Sequence, residues 1–164
     1  MTTQLMIPEN ALTINETEAF HALTFVTNAT LKTIAEHSHV PENLFDEASR
    51  LGLIPSGPIQ YIYTGVDGNE NNVFRLAIAL PIEQPGEKPF AFIYREFPPF
   101  RHASYTYTGP WSDFLDVYDA LFGQLYRDGY TNDGRVREVY RVVDPENQAN
   151  NVTDIQIGLS HATH

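Results

Sequence analysis

Glu138 sits in the stretch Gly-Arg-Val-Arg-Glu-Val-Tyr-Arg-Val, residues 134–142, where a carboxylate interrupts a run of branched and aromatic side chains. Read as a β-strand, whose side chains alternate between faces, this stretch sends Val136, Glu138 and Tyr140 one way and Arg135, Arg137 and Val139 the other. A carboxylate among apolar neighbours loses hydration, so its pKa rises unless a cation or hydrogen-bond donors favour the charged form. Three chemistries use such a group. It can be the counter-charge for a cationic ligand, the general base on a water molecule, or one half of an ion pair with an arginine such as Arg75 or Arg101 that ties strands together.

A similar phrase, Gly-Pro-Ile-Gln-Tyr-Ile-Tyr-Thr-Gly, begins at Gly57 and places Tyr61 and Tyr63 where the later copy has Glu138 and Tyr140. Two related strands would bring these groups together. Tyrosine offers a ring face and a hydroxyl donor, and a cation against an aromatic ring gains about 0.5 to 2 kcal/mol, depending on its desolvation. Trp111, beside Gly109, is placed at the mouth of such a site, and Tyr105 and Tyr107 are counted in its lining. The competing role is core packing. With ten Phe, nine Tyr and one Trp, most rings must fill the interior, which applies to Phe92, Tyr94, Tyr105, Tyr107 and Tyr118 alike.

The elements that position these residues follow from periodicity. Residues 1–19 are polar and read as an arm or a short strand laid on the domain. Residues 20–37 alternate and contain β-branched side chains, which suits one or two strands. Residues 41–51 change period, with Pro41 in the first turn, acidic residues early and Gly52 beyond the end, which is a short helix. Strands over 57–66 and 73–82 are joined by the turn Asp-Gly-Asn-Glu-Asn-Asn. Beyond the punctuation at 83–89, residues 90–110 are extended and broken at Pro98 and Pro99. A helix follows over 111–126, with Phe114, Leu115, Tyr118, Leu121, Phe122, Leu125 and Tyr126 on one arc of roughly 140°. Strands over 134–143 and 152–159 close the chain. The order strand, helix, strand, strand thus occurs twice, over about 20–84 and 90–160, with a period near 75 residues. The expected fold is α+β: a curved antiparallel sheet of two similar halves, two helices on one side and a ligand groove at the seam. Residues 20–164 form the single domain of this reading.

Composition narrows the function. No cysteine is present, which removes disulfides, thiolate chemistry and cysteine zinc sites. Ten basic against 21 acidic residues leave a net charge of -11, which disfavours direct binding to nucleic acid or an anionic membrane. The amino terminus lacks a basic region followed by an apolar run, and no segment nears the roughly 18 apolar residues that span a bilayer, so a soluble, cytoplasmic protein is expected. His37 and His39 alternate at a strand end with no third ligand in view. Neither a serine elbow nor a phosphate loop is present, and no cofactor is implied.

The segments FPPFRHASYTYTGPWSDFLDVYDALFGQLYRDG and GRVREVYRV resemble the GyrI-like small-molecule-binding domains, which include the effector-binding domains of AraC-type and multidrug-responsive MerR-type bacterial transcription regulators. The resemblance rests on a Gly-Pro-aromatic step into a helix, matched by Gly109, Pro110 and Trp111, and on Glu-x-Tyr in a later strand, matched by Glu138 and Tyr140. It is strongest over residues 90–160. It implies a duplicated fold with a groove between the halves, where aromatics stack on a flat or lipophilic molecule and a buried glutamate meets its positive charge. Three functions are compatible with these residues. The first is a stand-alone binding module for small lipophilic cations, acting through a separate regulator or target protein. The second is a hydrolase of electrophilic small molecules with Glu138 as base and Tyr61 or Tyr140 as donor. The third is an acidic protein-interaction or inhibitor module.

Overall fold

The computed structural model describes residues 11–66 and 71–160. Eight strands form one antiparallel sheet: β1 (Thr13–Thr17), β2 (Phe20–Ala29), β3 (Gln60–Thr64), β4 (Phe74–Ile82), β5 (Ile93–Phe97), β6 (Phe100–Thr108), β7 (Asn132–Val142) and β8 (Val152–Leu159). Two helices cover one face, α1 (Val40–Leu51) and α2 (Phe114–Arg127). The strand order is β1-β6-β8-β7-β3-β4-β2-β5. It reads as two equivalent halves, β2-α1-β3-β4 and β6-α2-β7-β8, which meet where β3 pairs with β7. There Tyr61 lies directly across from Glu138.

The ends of this sheet are tied together by very short links. Thr17 ends β1 and Phe20 begins β2, yet these strands stand first and seventh in the order. Three residue steps span at most about 11 Å, whereas six strand spacings in a flat sheet come to about 29 Å. The sheet must therefore curl. The Pro98-Pro99 link from β5 to β6 makes the same demand from the other side. The direction of the curl is marked by Arg137 on β7, whose guanidinium lies over the rings of Phe20, Phe97 and Phe100 at 5.6, 5.7 and 4.1 Å to their centroids. Those rings belong to β2, β5 and β6, so the edges fold towards the face without helices.

Sequence alternation prepares the two faces for this shape. On β4, Leu76, Ile78, Leu80 and Ile82 point to the helices, while Ala77 and Ala79 point inward. Small side chains inside let the sheet bend tightly. The main core joins the large β4 residues to Leu23, Ile155 and Ile157 from the sheet, Val40, Leu44 and Ala48 from α1, and Val117, Leu121 and Leu125 from α2. The inner cluster is smaller: Ala22, Ile62, Ala77, Ala79 and Phe97.

Several local expectations need correction. Of the one or two strands expected over residues 20–37 there is one, β2, and the strand reading fails beyond it, because the chain turns at Thr30 and continues as a 3-10 turn over Ile34–His37. His37 therefore lies on that turn with its ring 5.5 Å from Phe25, and His39 occupies the N-cap of α1. Of the arm or short strand expected over residues 1–19, Thr13–Thr17 form the short strand β1, which pairs with β6; residues 1–10, and 67–70 of the expected hairpin turn, lie outside the described residues. The apolar arc of α2 does not all face the core either. Leu115 and Tyr126 are 68% and 53% exposed, while Val117 and Gln124 are buried. An arc of that width exceeds what one sheet face can cover, and its flank is left for another surface. No helix among the described residues is long and apolar enough to cross a membrane.

Phe100, fully buried between His102 at 5.3 Å and the guanidinium groups of Arg135 and Arg137, seals the curl. Replacing it with alanine is expected to cost about 3 to 5 kcal/mol, a fall in melting temperature of roughly 6 to 20 °C. Phe90→Ala removes a ring that is 70% exposed and touches Arg50 from outside, and should cost under about 1 kcal/mol. Urea midpoints of the two variants check the contrast.

Candidate functional site

The central strands β3 and β7 form the floor of a groove on the helix side, and the helices form its walls. Its volume is about 1710 Å³, larger than the roughly 300 to 1,000 Å³ of a typical small-molecule site. From α1 and the preceding 3-10 turn it takes Ile34, Ala35, Pro41 and Phe45; from α2, Phe114, Tyr118, Phe122 and Tyr126. The α2 residues recur every fourth position and so stand above one another on the helix. Their rings touch in sequence at 6.1, 6.2 and 6.3 Å. This is the part of the apolar arc that the sheet does not cover.

Glu138 lies at the base of the groove and is 3% exposed. Its Oε1 accepts hydrogen bonds from the hydroxyls of Tyr63 at 2.8 Å and Tyr140 at 2.5 Å, and its Oε2 accepts one from Tyr118 at 2.5 Å. Among the described residues no cation pairs with it. Arg75 and Arg101 are not its partners; Arg75 stands opposite Thr64, on the other face of the sheet. Burial pushes the Glu138 carboxyl above the usual carboxylate range, and the three hydroxyls draw it back down. Tyr63, Tyr118 and Tyr140 are in turn pushed well above the ordinary tyrosine value, first by burial and then by the Glu138 charge. The carboxylate is thus held in a neutral hydroxyl cage, and its charge is shared with three phenol rings.

Tyr61 adds a ring without a hydroxyl bond to Glu138. It stands edge-on to Tyr140 at 5.0 Å, and burial with the Glu138 charge pushes it up to about 12. Trp111 meets Tyr140 from the other side at 5.2 Å and donates its indole N–H to Thr153. It is placed by the Gly109-Pro110 step, where φ at Gly109 is +151° and a Cβ would come within 2.6 Å of the Tyr107 hydroxyl. Glu138, Tyr140, Tyr61, Tyr63 and Trp111 therefore share one groove.

Tyr105 and Tyr107 do not line that groove. Both lie on β6, two strands from β7, with β8 between them. Tyr105 packs against the main core, and Tyr107 meets Phe114 edge-on at 5.8 Å and bonds Asp113. They were counted in the lining as aromatic residues, and their distance from the seam excludes them. Tyr118, absent from the expected lining, supplies the third hydroxyl. Its signal was the four-residue aromatic spacing along α2, which no single-face packing rule requires. No group of three metal-ligating side chains occurs among the described residues.

Residues 13–160 match the GyrI-like small molecule binding domain family, and the chain belongs to it. Among solved structures it is similar to the EcmrR C-terminal domain, with 15% identity, a TM-score of 0.79, and coverage of 92% of this chain and 98% of that one. In a complex of EcmrR with DNA, the same similarity spans 57% of the EcmrR chain. The structure of SAV2435 bound to tetraphenylphosphonium gives a TM-score of 0.63 at 9% identity, covering 92% and 94%. A hydrolase from Listeria innocua gives 0.63 at 12%, covering 93% of each chain. No curated protein matches the sequence significantly.

The raised Glu138 carboxyl carries a sign. Its folded pKa exceeds its unfolded one, so its contribution to stability is complete below the unfolded value and is lost as pH rises through the folded value. Glu138→Gln does not titrate. Urea midpoints from about pH 4 to about pH 8 should show the variant gaining on the wild-type protein as pH rises; a constant difference would show that the carboxyl titrates alike in both states.

Proposed function

We propose that the groove binds small lipophilic organic cations, with Glu138 as their counter-charge. The observation that carries this reading is a buried carboxylate with no cationic partner, set in an aromatic groove and held by hydroxyls alone. The three hydroxyls favour the charged form against the effect of burial and bring no positive charge of their own, so the carboxylate is left for a ligand cation to neutralise. Tyrosines that donate to a carboxylate present electron-rich faces, and a cation against such a face gains about 0.5 to 2 kcal/mol. The apolar and aromatic walls would receive the ligand's rings or chains. The neighbour whose structure contains tetraphenylphosphonium supports this ligand class. Regulation of transcription or of another protein, in the cytoplasm and through a separate partner, is the biological setting this activity suits best.

Hydrolysis of electrophilic compounds is the second reading, supported by neighbours described as hydrolases. It needs Glu138 to accept from a water molecule. A carboxylate offers about four acceptor positions, and three are occupied by tyrosines, which favours binding over general-base chemistry.

Glu138→Gln preserves shape and removes charge. A hydrogen bond or contact to a charged group is worth about 1.5 to 3 kcal/mol, so the dissociation constant for tetraphenylphosphonium should rise roughly ten- to more than a hundredfold. Triphenylphosphine oxide, neutral and of related outline, should bind with little change. Calorimetric titration of both compounds checks this, and equal losses would remove the counter-charge role. If binding survives while turnover of an ester or epoxide panel disappears, hydrolysis is the function.

A further inference from the structure

The face opposite the groove has an unresolved polar balance of its own. Arg137 is 4% exposed. Its guanidinium lies over three phenylalanine rings, yet none of its N–H groups bonds to a described residue, and no described carboxylate pairs with it. Directly across on β8 is Gln156, 7% exposed. Its amide has no hydrogen-bond partner among the described residues either. Gln60 on β3 stands opposite Val139, diagonal to Arg137, and its Oε1 is sealed from solvent without a partner. Nearby charges are committed elsewhere: Asp133 holds Arg135, and Asp154 holds Arg141 and the Thr106 hydroxyl.

Buried polar groups are hydrogen-bonded in the great majority of cases, and a buried charge needs a partner. Ring contact satisfies the guanidinium face but not its N–H edge, which is a fork suited to two oxygens in one plane. Direct cross-strand neighbours have Cβ atoms about 4.5 to 5.5 Å apart and diagonal ones about 7 to 8 Å, so all three side chains can reach one small guest. A half-turn of the terminal torsion lets either glutamine amide offer N–H donors.

We propose that the inside of the curled sheet is a binding site for a small organic carboxylate, held by the guanidinium edge of Arg137 with the amides of Gln156 and Gln60. The site is separate from the groove: Arg137 and Glu138 are neighbours in β7 and point to opposite faces. Its guests are the smallest carboxylic acids, formate and acetate, because three phenylalanine rings already crowd the guanidinium.

The test follows the Arg137 Nε–H resonance of the whole protein by NMR, identified by its loss in Arg137→Lys, during titration with sodium formate or acetate against sodium chloride at equal ionic strength. Saturable displacement by the carboxylates alone is expected. At ten times the dissociation constant the melting temperature should rise by roughly 3 to 6 °C. Gln156→Leu should weaken acetate about two- to tenfold, and Arg137→Met should abolish the response. Should Arg137→Met fail to fold, the wild-type resonance and Gln156→Leu still decide. A resonance indifferent to carboxylates, a response to phosphate or sulfate but not acetate, or an acetate response that survives Arg137→Met would each overturn the proposal.

Discussion

Two short links carry the architecture. Between Thr17 and Phe20, and again between Phe97 and Phe100, the chain crosses from one end of the sheet to the other. No flat sheet permits that. Once the sheet has curled, its two faces are no longer equivalent. The inner face is confined and takes alanines, phenylalanine rings and Arg137; the outer face is splayed, so two helices cannot cover it completely. The uncovered strip lies over β3 and β7, where the halves meet, and becomes the groove floor. Both the groove and the buried arginine are thus consequences of connection length rather than of any residue within them.

At the centre of β7 two opposite charges follow one another in sequence and are separated by the sheet. Glu138 is stabilised by hydroxyl donors and Arg137 by ring faces. Each solution compensates desolvation without a direct counter-ion. Burial lowers the Arg137 pKa to about 10 and raises that of Glu138, the direction in which loss of hydration moves a base and an acid. Pairing the two directly would need both on one face, which strand alternation forbids.

Much of this was legible in the sequence, for physical reasons. The repeated strand phrase identified the seam, because strands related by duplication pair about a twofold axis and Tyr61 consequently meets Glu138. Alternation placed Glu138 and Arg137 on opposite faces. What could not be read was anything that depends on distance across the sheet. Tyr105 and Tyr107 lie on a strand too far from the seam, and Tyr118 reaches Glu138 only because α2 is laid across it. The 3-10 turn over Ile34–His37 had no period to reveal it, since Thr30, Thr33 and Ile34, which lead into it, are β-branched and suit a strand equally well.

The order of strands also says something about how the chain reaches this shape. β1 precedes β2 but pairs with β6 of the second half, and β5 precedes β6 but pairs with β2 of the first. Each half lends its leading strand to the other. Neither can complete its own sheet, so the amino-terminal half has no finished edge to rest on while the rest emerges from the ribosome. Contacts such as Thr13 with Ser104 join distant parts of the chain, and structures dominated by such pairings fold slowly. The molecule should assemble as one cooperative unit. The same exchange describes a pair of identical half-length chains clasping each other about a twofold axis, which makes this single chain the covalent counterpart of an intertwined dimer.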